Sequence, residues 1–454
     1  MQATKDNRLG TENITRLMIS LAIPSVLAQI VNVLYNIVDR IYIGRIPGVG
    51  AVALTGVGVT FPIITIISAF SSFASGGGAP LASIALGQGN RKRAERILGN
   101  AASLLLFFSA LLMLFFFVFQ KPLLYLFGAS DNTIGYSSTY ISIYLLGTVF
   151  VQLAVGLNTF ISCQGHARTA MCSVLIGAVV NIALDPLFIF VFHMGVRGAA
   201  LATVISQAIS TLWVVLFLCG KKTQLHLRKK HLHLEAKVVL PCIALGLAAF
   251  IMQSSESIVT VCFNSSLLRY GGDIAVGAMT ILTSVMQFAM LPLQGIAQGA
   301  QPISSYNYGA KNADRVKKTF RLLLITCLSY SVLLWAAVQL VPRVFVSIFT
   351  ADTSLIEFTA PMLKIYLGGL FLFGIQIACQ MTFTSLGKAV NSIIVAVVRK
   401  FVLLIPLIYI MPHMISDSTT GVYMAEPIAD ITAVIFASVL FTFQFKKALA
   451  EIQN

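Results

Sequence analysis

Long apolar runs recur along this chain, and they restrict its fold more than any other feature. Three examples are LLLFFSALLMLFFFVF from Leu104, LWVVLFLC from Leu212 and FVLLIPLIYIM from Phe401. A helix that crosses the ~30 Å hydrocarbon core of a bilayer needs about 20 mostly apolar residues. The runs do not alternate apolar with polar residues, which argues against the strands of a membrane barrel. Because only 10% of the residues are charged, we predict an all-α protein that crosses the membrane many times.

Polar breaks divide the apolar sequence into twelve candidate membrane helices. They lie near residues 17–43, 51–78, 97–119, 136–162, 170–192, 197–219, 238–268, 274–302, 319–341, 357–386, 390–411 and 420–445. The first segment is longer than the ~7–15 apolar residues of a signal peptide, so we expect it to remain as the first helix.

The basic residues are concentrated on one side of these predicted helices. With the N-terminus placed inside, 24 of the 31 Lys and Arg residues lie in inside segments, with Arg399 and Lys400 counted among them. The positive-inside rule therefore predicts that both termini are cytoplasmic. This distribution accounts for the net charge of +15 without a nucleic-acid partner. We expect a multi-pass protein of the plasma membrane, which in a bacterium is the inner membrane.

The chain also contains an internal repeat. The stretch GGAPLASIALGQGNRKR begins at Gly77, and GAQPISSYNYGAKNADR begins at Gly299. At one constant shift along the chain, the matching pairs are Gly77 with Gly299, Pro80 with Pro302, Ser83 with Ser305, Gly87 with Gly309, Asn90 with Asn312 and Arg93 with Arg315. The same shift places GHA of residues 165–167 on GKA of residues 387–389. A single shift that holds at two separate places indicates a duplicated unit.

The repeat predicts how the twelve helices are arranged. Each copy holds six helices, an even number, so both copies cross the membrane in the same direction and form parallel repeats. We expect an N-lobe over residues 1–219, a cytoplasmic linker over 220–237 and a C-lobe over 238–454. Two such lobes with a cavity between them are typical of a transporter.

The first predicted helix carries a polar stripe that apolar packing does not explain. Asn32, Tyr35, Asn36 and Asp39 are spaced i, i+3, i+4 and i+7, so they share one helical face. A charge at the bilayer centre costs about 2.5–3.5 kcal/mol, and such residues usually face a cavity or a relay. Asp39 is therefore a candidate for an ion site, and Asn36 for the cavity.

The fifth predicted helix carries a matching pair. Asn181 and Asp185 lie at i and i+4, and Pro186 weakens the helix beside them. Asp185 and Asp39 are expected at the same depth, in the outer half of the membrane. Two neighbouring carboxyl groups can share one proton, or bind a hard cation such as Na⁺ together with amide and hydroxyl oxygens. No other metal site is predicted; the alternative is a pair of acids satisfied by local hydrogen bonds or by Arg40.

The C-lobe offers different candidates. Glu256 lies mid-helix in MQSSESIVT, where it could bind a cationic substrate or a second ion, or be satisfied by the neighbouring hydroxyl groups. Gln287, Met290 and Gln294 recur at i, i+3 and i+7 on the eighth helix. Amide and thioether groups suit a pliable drug cavity, although ordinary packing also explains Met290.

Two further acids lie at the start of the twelfth predicted helix. Glu426 and Asp430 share a face at i and i+4. Their position near the outer boundary of the membrane predicts that they are solvated.

Three stretches of this sequence resemble one transporter family. VDRIYIGR from Val38, the repeated G-x-x-P-x-x-S-x-x-x-G-x-x-N pattern and NIALDP from Asn181 are together similar to the multidrug and toxic compound extrusion (MATE) family. The resemblance covers essentially the whole chain. It implies two six-helix lobes that form a V, and efflux of small cationic amphiphiles driven by a proton or sodium gradient. No cofactor is expected beyond that ion, and we expect a monomer.

The acid pair resembles one branch of that family. Asp39 and Asp185 are similar to the site of the DNA-damage-inducible branch. The resemblance implies that four further positions belong to this site: Tyr35, Asn158, Asn181 and Thr203. Family members bend the first helix at a proline, which Pro24 matches, so the resemblance implies a hinge there.

Glu256 resembles the sodium-coupled branch instead. That branch carries a further acid in the tenth helix, where this chain has Gln376 and Gln380. We therefore place the coupling site in the N-lobe.

Two other function classes fit this sequence less well than ion-coupled drug export. A flippase for lipids or lipid-linked oligosaccharides has a related fold, but its cavity needs cationic residues to hold phosphate, whereas the intramembrane charges identified here are mainly acidic. A membrane-embedded enzyme would need a motif such as D-D-x-x-D or H-E-x-x-H, and neither occurs. The sequence therefore predicts a transporter rather than an enzyme.

Overall fold

The computed structural model describes residues 8–453, in which helices account for nearly all of the structure. Nine helices in this range are long and apolar enough to cross a membrane, and two further pairs, bent by 57° and 48°, each supply one crossing. One of the nine, Ala236–Gly309, holds 74 residues, about 110 Å of helix at 1.5 Å per residue. Gly272 interrupts it with a non-helical φ of 65° and ψ of −162°. It is therefore two helices, and residues 8–453 supply twelve crossing helices, as predicted.

The twelve crossing helices follow each other in chain order. They are α1 (Ile14–Gly44), α2 (Gly50–Gly87), α3 (Arg91–Leu126), α4 (Ile134–Leu146 with Thr148–Ser162), α5 (Ala167–Val191), α6 (Val196–Cys219), α7 (residues 236–271), α8 (residues 273–309), α9 (Ala313–Leu340), α10 (Thr353–Tyr366 with Leu370–Ser385), α11 (Ala389–Met414) and α12 (Ser418–Gln453). The two ends of the predicted domains, residues 1–7 and residue 454, lie outside the described residues.

Several helices extend beyond the apolar segments that predicted them. Helix α3 begins at Arg91 rather than near residue 97, and α12 reaches Gln453 rather than residue 445. Hydropathy marks only the part of a helix inside the membrane, whereas backbone hydrogen bonds continue until a cap ends them. Asn90 supplies such a cap, since its Oδ1 accepts a hydrogen bond from the backbone N–H of Arg93 at 3.0 Å.

The internal repeat is visible in the backbone itself. Asn312, the partner of Asn90 in the repeat, caps α9 in the same way, accepting from the backbone N–H of Arg315 at 3.1 Å. The glycines of the GHA and GKA motifs, Gly165 and Gly387, both adopt positive φ angles of 87° and 71°. Matching caps and matching turns indicate that both halves of the chain fold in the same way.

The two halves pack against each other at the end of the bundle that carries the basic connections, called the basic end below. A Cβ added to Gly87 of α2 would lie 2.0 Å from the carbonyl oxygen of Tyr306 in α8. A Cβ added to Gly309 would lie 2.0 Å from the carbonyl oxygen of Ile84. The two glycines are partners in the repeat, so the contacts are made by equivalent positions of the two halves. Only glycine, which has no Cβ, lets the two helix backbones come this close. This explains why both copies of the repeat have glycine at this position.

Helix α1 of the first half also packs closely against α8 of the second half. Gly295 and Gly299 of α8 lie against the backbone of Val26 and Ala22, respectively. Pro24, the predicted hinge, is buried between these two contact points. A change in α1 at Pro24 would therefore act directly on the packing of the two halves.

The connection between α6 and α7 is fastened to the first half by charge pairs. The buried carboxylate of Glu95 in α3 lies 2.9 Å from Nε of Arg228. Nη2 of Arg96 lies 2.6 Å from Oε2 of Glu235. The hydrogen bond from Arg96 holds the pKa of Glu235 below its ordinary value. The predicted linker is thus docked on α3 rather than extended in solvent.

Gly87→Leu is expected to move the two halves apart at the basic end, because the new side chain would overlap the Tyr306 carbonyl and backbone cannot yield cheaply. Pulsed electron paramagnetic resonance between spin labels at Lys92 and Lys318, which are both exposed, would show a distance longer by several ångströms. Gly58→Leu is the matched control, since a Cβ at Gly58 has no neighbour within 4 Å. Equal distances in both variants would contradict this interpretation of the contact.

Candidate functional site

The first half of the molecule holds a buried pair of acids between α1 and α5. Asp39 is 8% exposed, and Asp185 and Asn181 are fully buried. The two carboxyl groups face each other within hydrogen-bonding range. Nδ2 of Asn181 lies 3.5 Å from Oδ1 of Asp185 and 3.5 Å from Oγ1 of Thr203 in α6. Four of the residues predicted for the ion site therefore lie together.

Three oxygen atoms of this group have no hydrogen-bond partner among the described residues. They are Oδ1 of Asp39, Oδ2 of Asp185 and Oδ1 of Asn181. A buried polar atom without a partner costs about 1–3 kcal/mol. Three acceptors with no donor between them form an arrangement that a proton or a hard cation would satisfy. These three oxygen atoms therefore fit a proton or Na⁺.

Tyrosines surround the acid pair. Tyr140 of α4 hydrogen-bonds with Thr203 and lies within electrostatic range of both acids, and its ring stacks on Tyr144 with centroids 6.4 Å apart. Tyr35, a predicted member, is half-buried and interacts with Gln207 of α6. Tyr140 and Tyr144 are not among the residues predicted from the sequence, because neither is an acid or an amide. Their i, i+4 spacing in an apolar helix was the available signal.

The structure does not bring Asn158 into this group. Its Nδ2 donates to the carbonyl oxygen of Ala170 at 3.1 Å, and its Oδ1 accepts from Ser173 at 3.0 Å. Ser173 precedes Asn181 by eight residues, about 12 Å along a helix. Asn158 instead joins α4 to the first turns of α5 and makes no direct hydrogen bond with the acids.

Arg40 does not neutralise the acid pair through an ion pair. Its guanidinium lies over the ring of Phe61, 5.2 Å from the centroid, and no salt bridge joins it to Asp39 within residues 8–453. The alternative in which Arg40 satisfies Asp39 is therefore not what the structure contains.

A second polar region is a cavity of about 570 Å³ between the two halves. Glu256 of α7 and Gln294 of α8 line it, as predicted. The first half contributes mainly small and hydroxyl-bearing residues from α2 and α4. The second half contributes an unusual number of amides, namely Gln253, Gln294, Gln298, Gln301 and Gln380.

The other residues predicted for the cavity lie elsewhere. Asn36 and Gln287 are exposed but do not line it, and Met290 is half-buried against the core of the second half. Met290 lies four residues from Gln294 but turns toward helix packing, the interpretation that the sequence left open. Burial against neighbouring helices decides such cases, and a single helix does not show it.

The second half contains two buried basic residues that sequence reasoning misplaced. Arg399 and Lys400 were counted among the cytoplasmic charges, yet both are 3% exposed in the π-helical segment Val398–Leu404 of α11. Nζ of Lys400 lies 2.7 Å from Oε1 of Glu256. Glu256 is thus ion-paired, rather than satisfied by hydroxyl groups. Without Arg399 and Lys400, most of the remaining Lys and Arg residues still lie in the predicted inside segments.

The prediction that Glu426 and Asp430 are solvated is wrong. They are 4% and 2% exposed. Arg399 reaches both, with nitrogen–oxygen distances of 3.3 Å to Glu426 and 2.8 Å to Asp430. Its guanidinium also lies over the ring of Phe373, 4.6 Å from the centroid. The arginine partner is 27 residues or more away in sequence, so the local apolar boundary gave no sign of it.

Comparison with known families finds the same duplication. The family model MatE matches residues 24–187 and again residues 246–410. The starts of the two matches are separated by the same shift that relates Gly77 to Gly299. Together the matches cover well over half of the chain.

Curated relatives match nearly the full length of the chain. The multidrug export protein MepA of Staphylococcus haemolyticus is 24% identical over 437 residues, which is 96% of this chain and 95% of that protein. MepA of Staphylococcus aureus (strain NCTC 8325 / PS 47) is 23% identical and covers 93% of this chain and 92% of its own length.

Solved structures share the whole fold. A crystal structure of MATE in the bent conformation aligns over 99% of this chain and 100% of its own, with a TM-score of 0.93 and 21% identity. An outward-facing multidrug resistance MATE family transporter of the MOP superfamily aligns over 100% of both chains, with a TM-score of 0.89 and 21% identity. The V-shaped arrangement of twelve helices is therefore common to these proteins and to this one.

Proposed function

This chain belongs to the MATE family of membrane transporters, and we propose that it exports organic cations by exchange for an inward-moving proton or sodium ion. The family consists of transporters and not of enzymes. The MepA relatives are named as multidrug exporters, which supports a broad range of small-molecule substrates. The ion-driven exchange and the residues that perform it are the new part of the proposal.

The observation that carries the proposal is the acid pair with its unsatisfied oxygens. Asp39 and Asp185 lie inside the first half, and neither lines the central cavity. An ion bound there need not compete with a drug for the same atoms. The ion therefore influences the drug by favouring one of two conformations that bind the drug differently. Such a difference in affinity between the conformations is the requirement for coupled exchange.

Helix α1 is the element that can connect the ion to the drug. Asp39 lies on α1, and the same helix contacts α8 of the second half through Ala22 and Val26 on either side of Pro24. A proton or cation at Asp39 removes the repulsion between the two carboxylates and draws α1 toward α5. The resulting change at Pro24 alters the packing of the halves and favours release of the drug to the outside.

The lining of the central cavity favours a cationic substrate. Five glutamine side chains and Met252 and Met381 provide dipoles and polarizable surface, and Glu256 is the one acidic side chain among the lining residues. No Lys or Arg of the described chain lines the cavity. A flippase that holds phosphate would need such cations, so no observation favours that alternative.

The remaining expectations form part of the same proposal. We place the protein in the plasma membrane with the basic end and both termini in the cytoplasm, as the charge distribution favours. The N-lobe (1–219) and C-lobe (238–454) move against each other around the linker. The acid pair supports the DNA-damage-inducible branch, and the protein works as a monomer.

Reconstitution into liposomes tests this function. Efflux of ethidium from proteoliposomes is measured under an imposed pH gradient and, separately, under an imposed sodium gradient. We expect one of the two gradients to drive efflux well above the rate of protein-free liposomes, and that result names the coupling ion. Absence of efflux under both gradients, from protein shown to be inserted and folded, would contradict the proposal.

A further inference from the structure

The second half of the molecule contains five buried or cavity-facing charges that belong to one cluster. Glu256 comes from α7, Arg399 and Lys400 from α11, and Glu426 and Asp430 from α12. Arg399 joins the two acids of α12, while Lys400 joins Glu256 at 2.7 Å. Lys400 also lies within electrostatic range of Glu426, so the two ion pairs form a single network.

The charges of this network do not balance. Three carboxylates face two basic side chains, which leaves one negative charge in excess when all five are ionised. An uncompensated charge in a low-dielectric interior is costly. One additional positive charge in the neighbourhood would therefore be bound favourably.

Only one member of the network is accessible to an incoming cation. The side chain of Glu256 is 58% exposed and lines the central cavity, whereas the side chains of the other four are 3–5% exposed. A cation in the cavity thus meets the excess negative charge at Glu256. Lys400 holds that carboxylate from behind, through one of its two oxygens.

We propose that Lys400 is a specificity-determining residue, a tethered positive charge that makes the cavity select monocations over dications at Glu256. With Lys400 present, the network lacks one positive charge, and one substrate charge completes it. Without Lys400, the network lacks two, and a substrate with two positive charges gains most. This inference rests on the proposed export of organic cations and adds the charge of the preferred substrate.

Two dyes with the same aromatic core separate charge from shape. Ethidium is a monocation, and propidium carries the same phenanthridinium ring with a second, quaternary ammonium group on its tail. Equilibrium binding of each dye is measured by fluorescence anisotropy on the full-length protein in detergent, at one pH and one salt concentration. The measured quantity is the ratio of the two dissociation constants, ethidium over propidium.

Lys400→Met is expected to raise this ratio about tenfold, since a unit charge at roughly 10 Å in a partly buried site is worth at least that factor. Adding Glu256→Gln to Lys400→Met removes the exposed carboxylate and is expected to abolish the gain. Lys400→Arg keeps the charge and should keep the ratio of the wild type. If Lys400→Met is poorly produced, purified Lys400→Arg provides a folded reference. A purely structural role of Lys400 predicts the same weakening of binding for both dyes and therefore an unchanged ratio.

Lys388→Met is the matched control. Lys388 also forms a 2.6 Å ion pair with a glutamate, Glu451, but at the basic end and outside the cavity lining. Its loss removes one positive charge from the protein and should leave the dye ratio unchanged. An equal change of the ratio in Lys388→Met and Lys400→Met would show that the net charge of the protein causes the effect, and it would overturn the proposal.

The remaining outcomes distinguish this inference from the function on which it rests. An unchanged ratio in Lys400→Met, with both dyes still binding, overturns the role of Lys400 and leaves cation export intact; it would mean that a proton balances the network. Failure of the wild type to bind either dye overturns the proposed substrate class and this inference with it. A tenfold shift confined to Lys400→Met supports both.

Discussion

Asp39→Asn is expected to abolish gradient-driven efflux while leaving drug binding in place. Asparagine has nearly the same shape but holds neither the proton nor the full charge that the unsatisfied oxygens of Asp39 and Asp185 require. Without differential binding of the ion, the two conformations lose their coupling, which is worth about 1–3 kcal/mol in typical systems. The rate of gradient-driven ethidium efflux should fall by about two orders of magnitude, and Asp185→Asn should act in the same way.

The measurement compares both variants with the wild type in proteoliposomes, at equal protein density and with ethidium binding measured separately. Asp131→Asn serves as control, since Asp131 is an exposed acid of the same half that hydrogen-bonds only with Tyr125 in the described structure. It should transport as the wild type does. Full efflux by inserted Asp39→Asn protein would show that the coupling ion binds elsewhere.

Arg399→Met is expected to destabilise the folded protein by about 3–5 kcal/mol. The substitution leaves Glu426 and Asp430 buried without the positive charge that both contact, and it removes the contact of the guanidinium with Phe373. A methionine fills part of the volume but satisfies neither carboxylate. The free energy of unfolding in detergent, measured with denaturant and accompanied by a large fall in Tm, reports the loss.

Two further variants make that result specific. Arg343→Met breaks an exposed pair with Glu357, 4.0 Å apart, and should cost less than about 1 kcal/mol. Combining Arg399→Met with Glu426→Gln and Asp430→Asn removes the uncompensated charges and should recover much of the stability. If Arg399→Met melted like Arg343→Met, the network would contribute little to the fold.

Much of the architecture was readable from local sequence. The apolar runs predicted twelve crossings because the length of a run measures the thickness that it spans. The duplicated motif around Gly87 and Gly309 predicted two like halves, and the acids on α1 and α5 were correctly expected to meet. Periodicity sufficed there, because Asp39 and Asp185 are each the one acid of a mainly apolar helix and each shares a face with an asparagine.

The charge network of the second half could not be read in this way. Arg399 and Lys400 follow each other inside the apolar segment 390–411, and the positive-inside count assigned them to the cytoplasmic side because basic residues are usually found there. Their partners lie on α7 and α12, and the burial of each charge depends on the others being present. The sequence alone therefore determined the number of helices, their duplication and the acid pair. Which charges are buried, and which residues line the central cavity, depends on contacts between helices far apart in the chain, and only the tertiary structure decides them.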